Sequence, residues 1–265
     1  MKRPENIPEE LRDTDLLFHY SKPYVAMENI LYNGEIRFSS LINMNDPYEN
    51  KIPSLGVSGR SISNKTFSEI SRKLRKDILF KSKILSLVRS NGANLEDDFQ
   101  LVFTRPRLWA QYGERHYGVC LIFSLKEILT KIKSTFPHLT VYHDYVTYNL
   151  RTGGRSHKSH LRHDQTQSSD KNIRNHIDAN KRDIFFRKYK DFRDENEYRI
   201  VLIDWADDTN SDIYINLQGV IKGVILGERF HLVYEELIKP LVKNLNAPLY
   251  RICYGNAVFI KKYKS

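Results

Sequence analysis

The order of strand-like and helix-like segments constrains the fold of this chain most. Strand patterns dominate the C-terminal part, over Glu197–Asp204, Asp212–Leu217, Val220–Leu226, Leu249–Cys253 and Ala257–Tyr263, with a helical pattern at His231–Asn244 among them. Strands that do not alternate regularly with helices are not typical of a doubly wound parallel sheet. We therefore predict an α+β fold with two mostly antiparallel sheets.

The rest of the chain mixes both patterns. Strands are predicted over Asp15–Ser21, Glu35–Ser40, Phe99–Thr104, Tyr117–Phe123 and Leu139–Leu150, and helices over Pro23–Asn33, Thr66–Ser90, Leu108–Tyr112, from Ser124 onward and over Asn180–Phe192. The long helical pattern predicts a helical insertion at about residues 55–97. Residues 151–175 are polar and basic, which predicts a loop. We treat residues 1–265 as a single domain.

Charge narrows the choice of partners. The chain has 42 Lys and Arg residues against 32 Asp and Glu residues, a net charge of +10. Such an excess favours a polyanionic partner: nucleic acid, a phosphorylated cofactor or an acidic surface. The candidate nucleic-acid contacts lie in the polar loop, and they are Arg151, Arg155, Lys158, Arg162 and Lys171.

The same loop contains His157, His160 and His163, a spacing that suggests metal ligands. The surrounding Lys and Arg residues oppose cation binding, so we assign no metal there. The chain also has no Walker A loop, no Gly-x-Gly-x-x-Gly, no Gly-x-Ser-x-Gly and no His-Glu-x-x-His. Kinase, P-loop ATPase, Rossmann dehydrogenase, serine hydrolase and zincin functions therefore lack support.

Apolar segments and cysteines bear on where the protein is located in the cell. No apolar run approaches the ~20 residues of a membrane span, and no apolar segment follows the basic N-terminus. Cys120 and Cys253 both lie in apolar, strand-like contexts that favour reduced thiols. We predict a cytoplasmic protein with no membrane contact.

Three predicted strands have a polar side. Because successive strand residues point to opposite faces, the less apolar sides carry His19, Ser21, Arg37, Ser39, Glu197 and Arg199. If the three strands meet, these residues line one cleft; otherwise they are solvated faces of a half-exposed sheet.

Several motifs resemble a widespread bacterial family of uncharacterised function whose members often occur in prophages and defence loci. They are Phe18-His19-Tyr20-Ser21, Ile30–Ser40, Asn45-Asp46-Pro47-Tyr48-Glu49, Leu108-Trp109-Ala110-Gln111-Tyr112, Gly118–Phe123, Glu195–Val201 and Ile221–Gly227. The opening, a strand with His-x-Ser followed by a helix, a Gly and a second strand, is similar to the start of the ADP-ribosyltransferase fold.

That resemblance implies NAD as substrate and a set of roles. His19 contacts a ribose of NAD, Ser39 or Tyr112 lies near the nicotinamide, and Glu197 is catalytic. Cleavage of the nicotinamide–ribose bond forms an oxocarbenium-like sugar, which a carboxylate stabilises. Glu195, two residues before Glu197, would serve as a base for the incoming nucleophile.

Further cofactor contacts follow from the same polar faces. Arg37 or Arg199 would bind the pyrophosphate through bidentate hydrogen bonds. Ser21, on the same side of its strand as His19, is a further candidate contact of the cofactor. The structural alternative for Glu197 is an ion pair with a neighbouring Arg.

Three functions stay open. The first is an NAD-dependent ADP-ribosyltransferase-like toxin or phage-defence effector that modifies nucleic acid (DNA or RNA) or protein and that a partner or antitoxin protein controls. The second is a non-catalytic module of a defence system that binds nucleic acid or a partner. The third is a metal-dependent nuclease using Asp46, Glu49 and Glu197.

Overall fold

The computed structural model describes residues 7–44, 56–58, 63–89, 101–150, 160–162, 167–206 and 210–263. Its strands are β1 (Leu16–Ser21), β2 (Glu35–Ser40), β3 (Gly56–Ser58), β4 (Ser82–Arg89), β5 (Val119–Ser124), β6 (Thr140–Tyr145), β7 (Thr147–Leu150), β8 (His160–Arg162), β9 (Arg187–Tyr189), β10 (Glu197–Ile203), β11 (Ile213–Asn216), β12 (Ile221–Leu226), β13 (Leu249–Tyr254) and β14 (Val258–Lys262). Its α-helices are α1 (Asn64–Lys76), α2 (Pro106–Gln111), α3 (Leu125–Thr135), α4 (Ser169–Phe185) and α5 (Leu232–Asn244). A π-helix at Val25–Leu31 joins β1 to β2.

Ten strands form a single mixed sheet that consists of two halves. The β5 half contains β1, β5, β12, β13 and β14, and the β10 half contains β11, β2, β4, β10 and β6. The halves are joined where β1 pairs with β4 through Leu17 opposite Arg89 and Phe18 opposite Val88. All pairs in this sheet are antiparallel except β12 with β13. The mostly antiparallel α+β fold is therefore confirmed, but hydrogen bonds between β1 and β4 join the two expected sheets into one.

The predicted helix over Thr66–Ser90 is wrong in its second half. Helix α1 ends at Lys76, a π-helical turn continues to Lys81, and the chain then forms β4. Strand β4 is buried on both faces, so its sequence lacks the apolar–polar alternation of a half-exposed strand and imitates a helical stripe. The region at 55–97 is therefore not only a helical insertion, because it supplies a central strand of the sheet.

Other boundaries also differ. The strand expected at Phe99–Thr104 is a 3-10 turn at Val102–Thr104 in its described part. Helix α4 begins at Ser169 rather than Asn180, after the Ser168 side chain accepts a hydrogen bond from the Lys171 backbone N–H. The C-terminal part of the predicted 151–175 loop is thus helical. The helix start at Ser124 is confirmed, since its hydroxyl accepts from the Glu127 N–H.

The two faces of the sheet are buried differently. On the continuous face, one apolar cluster spans both halves, and it includes Leu121 of β5, Leu85 of β4 and Ile200 of β10. Helices α3 and α5 pack on this face. On the opposite side, the divided face, one cluster contains Phe18 of β1 with α2 residues, and a separate cluster contains Ile84 of β4 with α1 and α4 residues.

No helix within the ranges given above combines the length and the apolar character needed to cross a bilayer. The cytoplasmic location stays a prediction.

Candidate active site

A group of polar residues lies between the two apolar clusters of the divided face. Along β4, Val88 belongs to one cluster and Ile84 to the other, with Ser86 between them. On the neighbouring strand β10, Glu197 lies opposite Val88 and Arg199 lies opposite Ser86. The polar side of β10 therefore coincides with the division in the core.

Four charged side chains and a tyrosine join there. The Arg199 guanidinium donates to both oxygens of Glu197, with Nε–Oε1 at 2.7 Å and Nη2–Oε2 at 3.0 Å. Lys188 Nζ lies 2.8 Å from Glu195 Oε2 and 3.2 Å from Glu197 Oε2. The Tyr112 hydroxyl donates to Glu195 Oε1 at 2.5 Å. We call these five residues the ionic cluster.

Local structure fixes each carboxylate. A 3-10 turn at Lys190–Glu195 is followed by Asn196 in the left-handed region at φ 49°, and β10 then begins at Glu197. This turn allows the side chains of Glu195 and Glu197 to reach the same Lys188. The Glu197 N–H donates to the Tyr148 hydroxyl at 2.9 Å, which anchors the start of the strand.

Burial is nearly complete, so the charges strongly influence one another. Glu195, Glu197 and Arg199 are at most 4% exposed. Burial alone raises the pKa of Glu197, but the adjacent charges of Arg199 and Lys188 outweigh this effect and lower its pKa to about 2. Glu197 is therefore an anion at neutral pH and not a proton donor. Burial also raises the pKa of the Tyr148 phenol.

A strained turn follows Tyr112. Three consecutive residues, Glu114, Arg115 and His116, have φ values of 45°, 56° and 74°, a region that non-glycine residues rarely adopt. The turn ends at Gly118, where a Cβ would lie 2.3 Å from the Ser21 carbonyl oxygen. Only glycine permits this approach. The turn that follows Tyr112 of the ionic cluster therefore packs directly against the end of β1.

His19 and Ser21 lie on the other face of the sheet. Phe18 and Glu197 both pair with Val88, so these two side chains share the divided face, and the next residue of β1 points to the continuous face. The His19 Nδ1–H donates to the Ser86 carbonyl at 3.0 Å, and burial lowers the pKa of His19. The Ser21 hydroxyl donates to its neighbour's carbonyl, that of Lys22. The structure does not bring these residues into the ionic cluster.

Arg37 and Ser39 lie on the divided face. Ser39 pairs with Ile84, which places its side chain on the same side as Glu197. Arg37 shares that side of β2, but its guanidinium is 59% exposed and lies 3.5 Å from Asp212. These two residues therefore share a face with the cluster, and the guanidinium of Arg37 is directed to an ion pair at the sheet edge.

Several predicted residues cannot be related to this site. Arg151, Arg155, Lys158, His157, His163, Asp46 and Glu49 lie outside the described residues. Arg162 and His160 fall in β8, and Lys171 lies exposed in the first turn of α4. Within the described ranges, no group of three or more His, Cys, Asp or Glu side chains is arranged to hold a metal ion.

Lys188 is the member of the cluster that the sequence analysis missed. The predicted helix over Asn180–Phe192 would have included it, whereas the structure places it on the three-residue strand β9. So short a strand has no readable periodicity. Its carboxylate partners are seven and nine residues away, and nothing in the pattern indicates that they meet.

Comparison with known proteins adds one finding to this geometry. A family model, described as a protein of unknown function (DUF2971), matches residues 108–200. The range runs from α2 into β10 and contains the whole ionic cluster, together with the Leu108–Tyr112 and Gly118–Phe123 motifs. It covers about a third of the chain. The chain matches no curated protein and no solved structure.

Proposed function

We propose that the protein is an ADP-ribosyltransferase-like enzyme that uses NAD as substrate, with the ionic cluster as its catalytic centre. The observation that carries this proposal is convergence. Tyr112, Glu195, Glu197 and Arg199 come from a helix end, a turn and a strand, yet they contact one another or share Lys188 as a partner. The resemblance to ADP-ribosyltransferases implies that Glu197 is catalytic and that Tyr112 lies near the nicotinamide, and the chemistry of the reaction suggests roles for Glu195 and Arg199. The resemblance to the bacterial family of prophages and defence loci supports a toxin or phage-defence role.

The electrostatics suit the reaction. An ionised Glu197 stabilises the positive charge that develops on the ribose. The bond between nicotinamide and ribose C1 breaks, and nicotinamide leaves as a neutral base with the bonding electron pair. An acceptor oxygen or nitrogen forms the new bond to C1 and gives its proton to Glu195, directly or through a water.

In the structure both carboxylates are already neutralised by cations. The proposal therefore requires the NAD pyrophosphate to compete for Arg199 and Lys188. Arginine binds phosphate and carboxylate with the same bidentate geometry, so an exchange of partners is chemically balanced. Once the cations turn to the pyrophosphate, the carboxylate charge of Glu197 faces the sugar.

Labelled NAD tests this proposal. Wild type, Glu197→Gln and Glu235→Gln are each incubated with separate pools of DNA, RNA and cell protein. Glu235 is a matched control because it is also a buried carboxylate paired with an arginine, Arg251. We expect label transfer by wild type and Glu235→Gln but not by Glu197→Gln, with folding of each variant checked by circular dichroism. No NAD consumption with any pool, and no NAD binding to wild type by calorimetry, would overturn the proposal.

A non-catalytic module that binds nucleic acid or a partner protein is the second candidate. Two observations favour it: the buried cations and carboxylates of the cluster neutralise one another, and His19 lies on the opposite face. Salt-sensitive nucleic-acid binding by wild type without NAD binding is the expected result for this function.

A further inference from the structure

Helices α1 and α4 form a paired surface on the divided face. Leu74 of α1 and Ile177 of α4 are fully buried in the same apolar cluster, together with Val201 of β10. An ion pair between Lys73 and Asp170 links the two helices at 3.2 Å. Both helices therefore cover the half of the sheet that carries the ionic cluster.

This pair of helices carries much of the positive charge. Helix α1 has five cationic side chains and one carboxylate, and α4 has four and three, a net charge of +5. Helices α3 and α5, on the continuous face, have a net charge of +2. Half of the net charge of +10 thus lies on two adjacent helices.

Five of these cations are available to a ligand, and they are Lys65, Arg72, Arg75, Lys76 and Lys171. A sixth, Arg174, lies over the ring of Trp205 at 5.0 Å. All six are exposed, and none has a carboxylate within ion-pair distance in the part of the chain that the structure describes. Unpaired surface cations keep their full charge for a polyanion.

The surface chemistry favours nucleic acid over a membrane. A helix that binds a bilayer surface needs a large apolar face to insert. The large apolar side chains that are exposed among the described residues lie elsewhere, most prominently Tyr32, Leu232 and Val233. The cations from Lys65 to Lys76 extend over about 16 Å of helix at 1.5 Å per residue. That length corresponds to roughly five phosphates along one DNA strand at 3.4 Å each.

We propose that the α1–α4 surface binds the sugar–phosphate backbone of a nucleic acid and guides it to the ionic cluster. Helix α4 ends at Phe185, whose carbonyl accepts a hydrogen bond from Arg199 at 2.8 Å. A strand that follows α4 towards its C-terminus therefore arrives at the cluster. The role of this nucleic acid as acceptor rests on the proposed function, whereas its binding does not.

The test is a binding titration without NAD. Fluorescence anisotropy follows a labelled 30-nucleotide single strand, its duplex and the matching RNA between 50 and 200 mM salt. The surface variant carries Arg72→Gln, Arg75→Gln, Lys76→Gln and Lys171→Gln. The control carries Lys126→Gln, Lys131→Gln, Lys133→Gln and Lys243→Gln, which remove the same charge from α3 and α5 on the continuous face.

We expect the surface variant to lose at least about tenfold in affinity, and its slope of log K against log salt for duplex to shrink by about 3 to 4, since each phosphate contact contributes roughly 0.9. The control should keep a slope close to wild type. Equal losses in both variants, no binding by wild type, or equally tight binding to polyglutamate or to phosphatidylserine vesicles would overturn the proposal.

NAD labelling of the same variants separates the two proposals. If only the surface variant loses nucleic-acid binding and the wild type consumes no NAD, the binding surface is supported and the proposed enzyme is overturned. Nucleic-acid labelling that survives in the surface variant supports the proposed enzyme and overturns the proposal that the surface guides the acceptor to the ionic cluster.

Discussion

The two faces of the ten-stranded sheet bury their residues in different ways. The continuous face is covered by one apolar cluster that extends across both halves. The divided face has two apolar clusters with the ionic cluster between them. Buried ion pairs stabilise a fold little, because desolvation offsets their attraction, and apolar residues of the same volume often do as well or better. The stability of the fold alone therefore gives little reason to bury these charges, and this is why we propose a site for an ionic substrate there.

The largest effect is expected when one partner of the ionic cluster is removed. Arg199→Met leaves Glu197 buried with half of its cationic partners, and we expect the free energy of unfolding to fall by about 3–5 kcal/mol in urea titrations. Arg37→Met removes a largely exposed guanidinium paired with Asp212, so its effect should be much smaller. Equal losses in the two variants would contradict the account of the divided face.

The continuous face is tested by making a cavity. Leu121 is fully buried in its apolar cluster, and Leu121→Ala should lower the free energy of unfolding by about 2–4 kcal/mol. The change lies on the opposite face of the sheet from the ionic cluster, so NAD labelling per folded molecule should stay at the wild-type level. Loss of labelling in a variant that is still folded at the assay temperature would show that the two faces are coupled.

Acid should weaken the ion pairs of the divided face. The folded-state pKa of Glu197, about 2, is below the ordinary value of 4.5. The stability that this group contributes is therefore fully present above pH 4.5 and is lost as pH falls towards 2. We expect the free energy of unfolding to decline less steeply over this pH range in Glu197→Gln than in wild type. Identical pH profiles would show that the ion pairs do not set this pKa.

The smallest effect is expected from single hydroxyls. Tyr112→Phe removes the hydrogen bond to Glu195 and should cost about 1.5 kcal/mol, because a partly buried donor to a charged group is lost. Tyr20→Phe, which removes a hydrogen bond to the Val102 carbonyl, should cost about 1 kcal/mol and leave labelling intact. Loss of labelling in Tyr20→Phe but not in Tyr112→Phe would contradict the placement of Tyr112, rather than Tyr20, in the catalytic centre.

Much of the fold was predictable because local patterns determine it. Alternation defined β2, apolar strand-like runs defined β1 and β10, and the Ser124 cap defined the start of α3. Strand β4 was missed because it is buried on both faces and its apolar residues continue the helical stripe of α1.

The candidate site was predictable only within one strand. Glu197 and Arg199 are two residues apart on β10, so their shared face follows from the pleat. The face on which His19 lies depends on the pairing of β1 with β4, and the position of Lys188 depends on a short strand that packing creates. Such long-range pairings leave no local trace in the sequence.

The most direct test replaces one ion pair by apolar residues. In the double variant Glu197→Leu/Arg199→Met, Lys188 and Glu195 still neutralise each other. We predict that its free energy of unfolding lies much closer to wild type than that of Arg199→Met, while transfer of label from NAD is abolished. If wild type transfers no label, or if the double variant transfers label as well as wild type, the ionic cluster is not the catalytic centre.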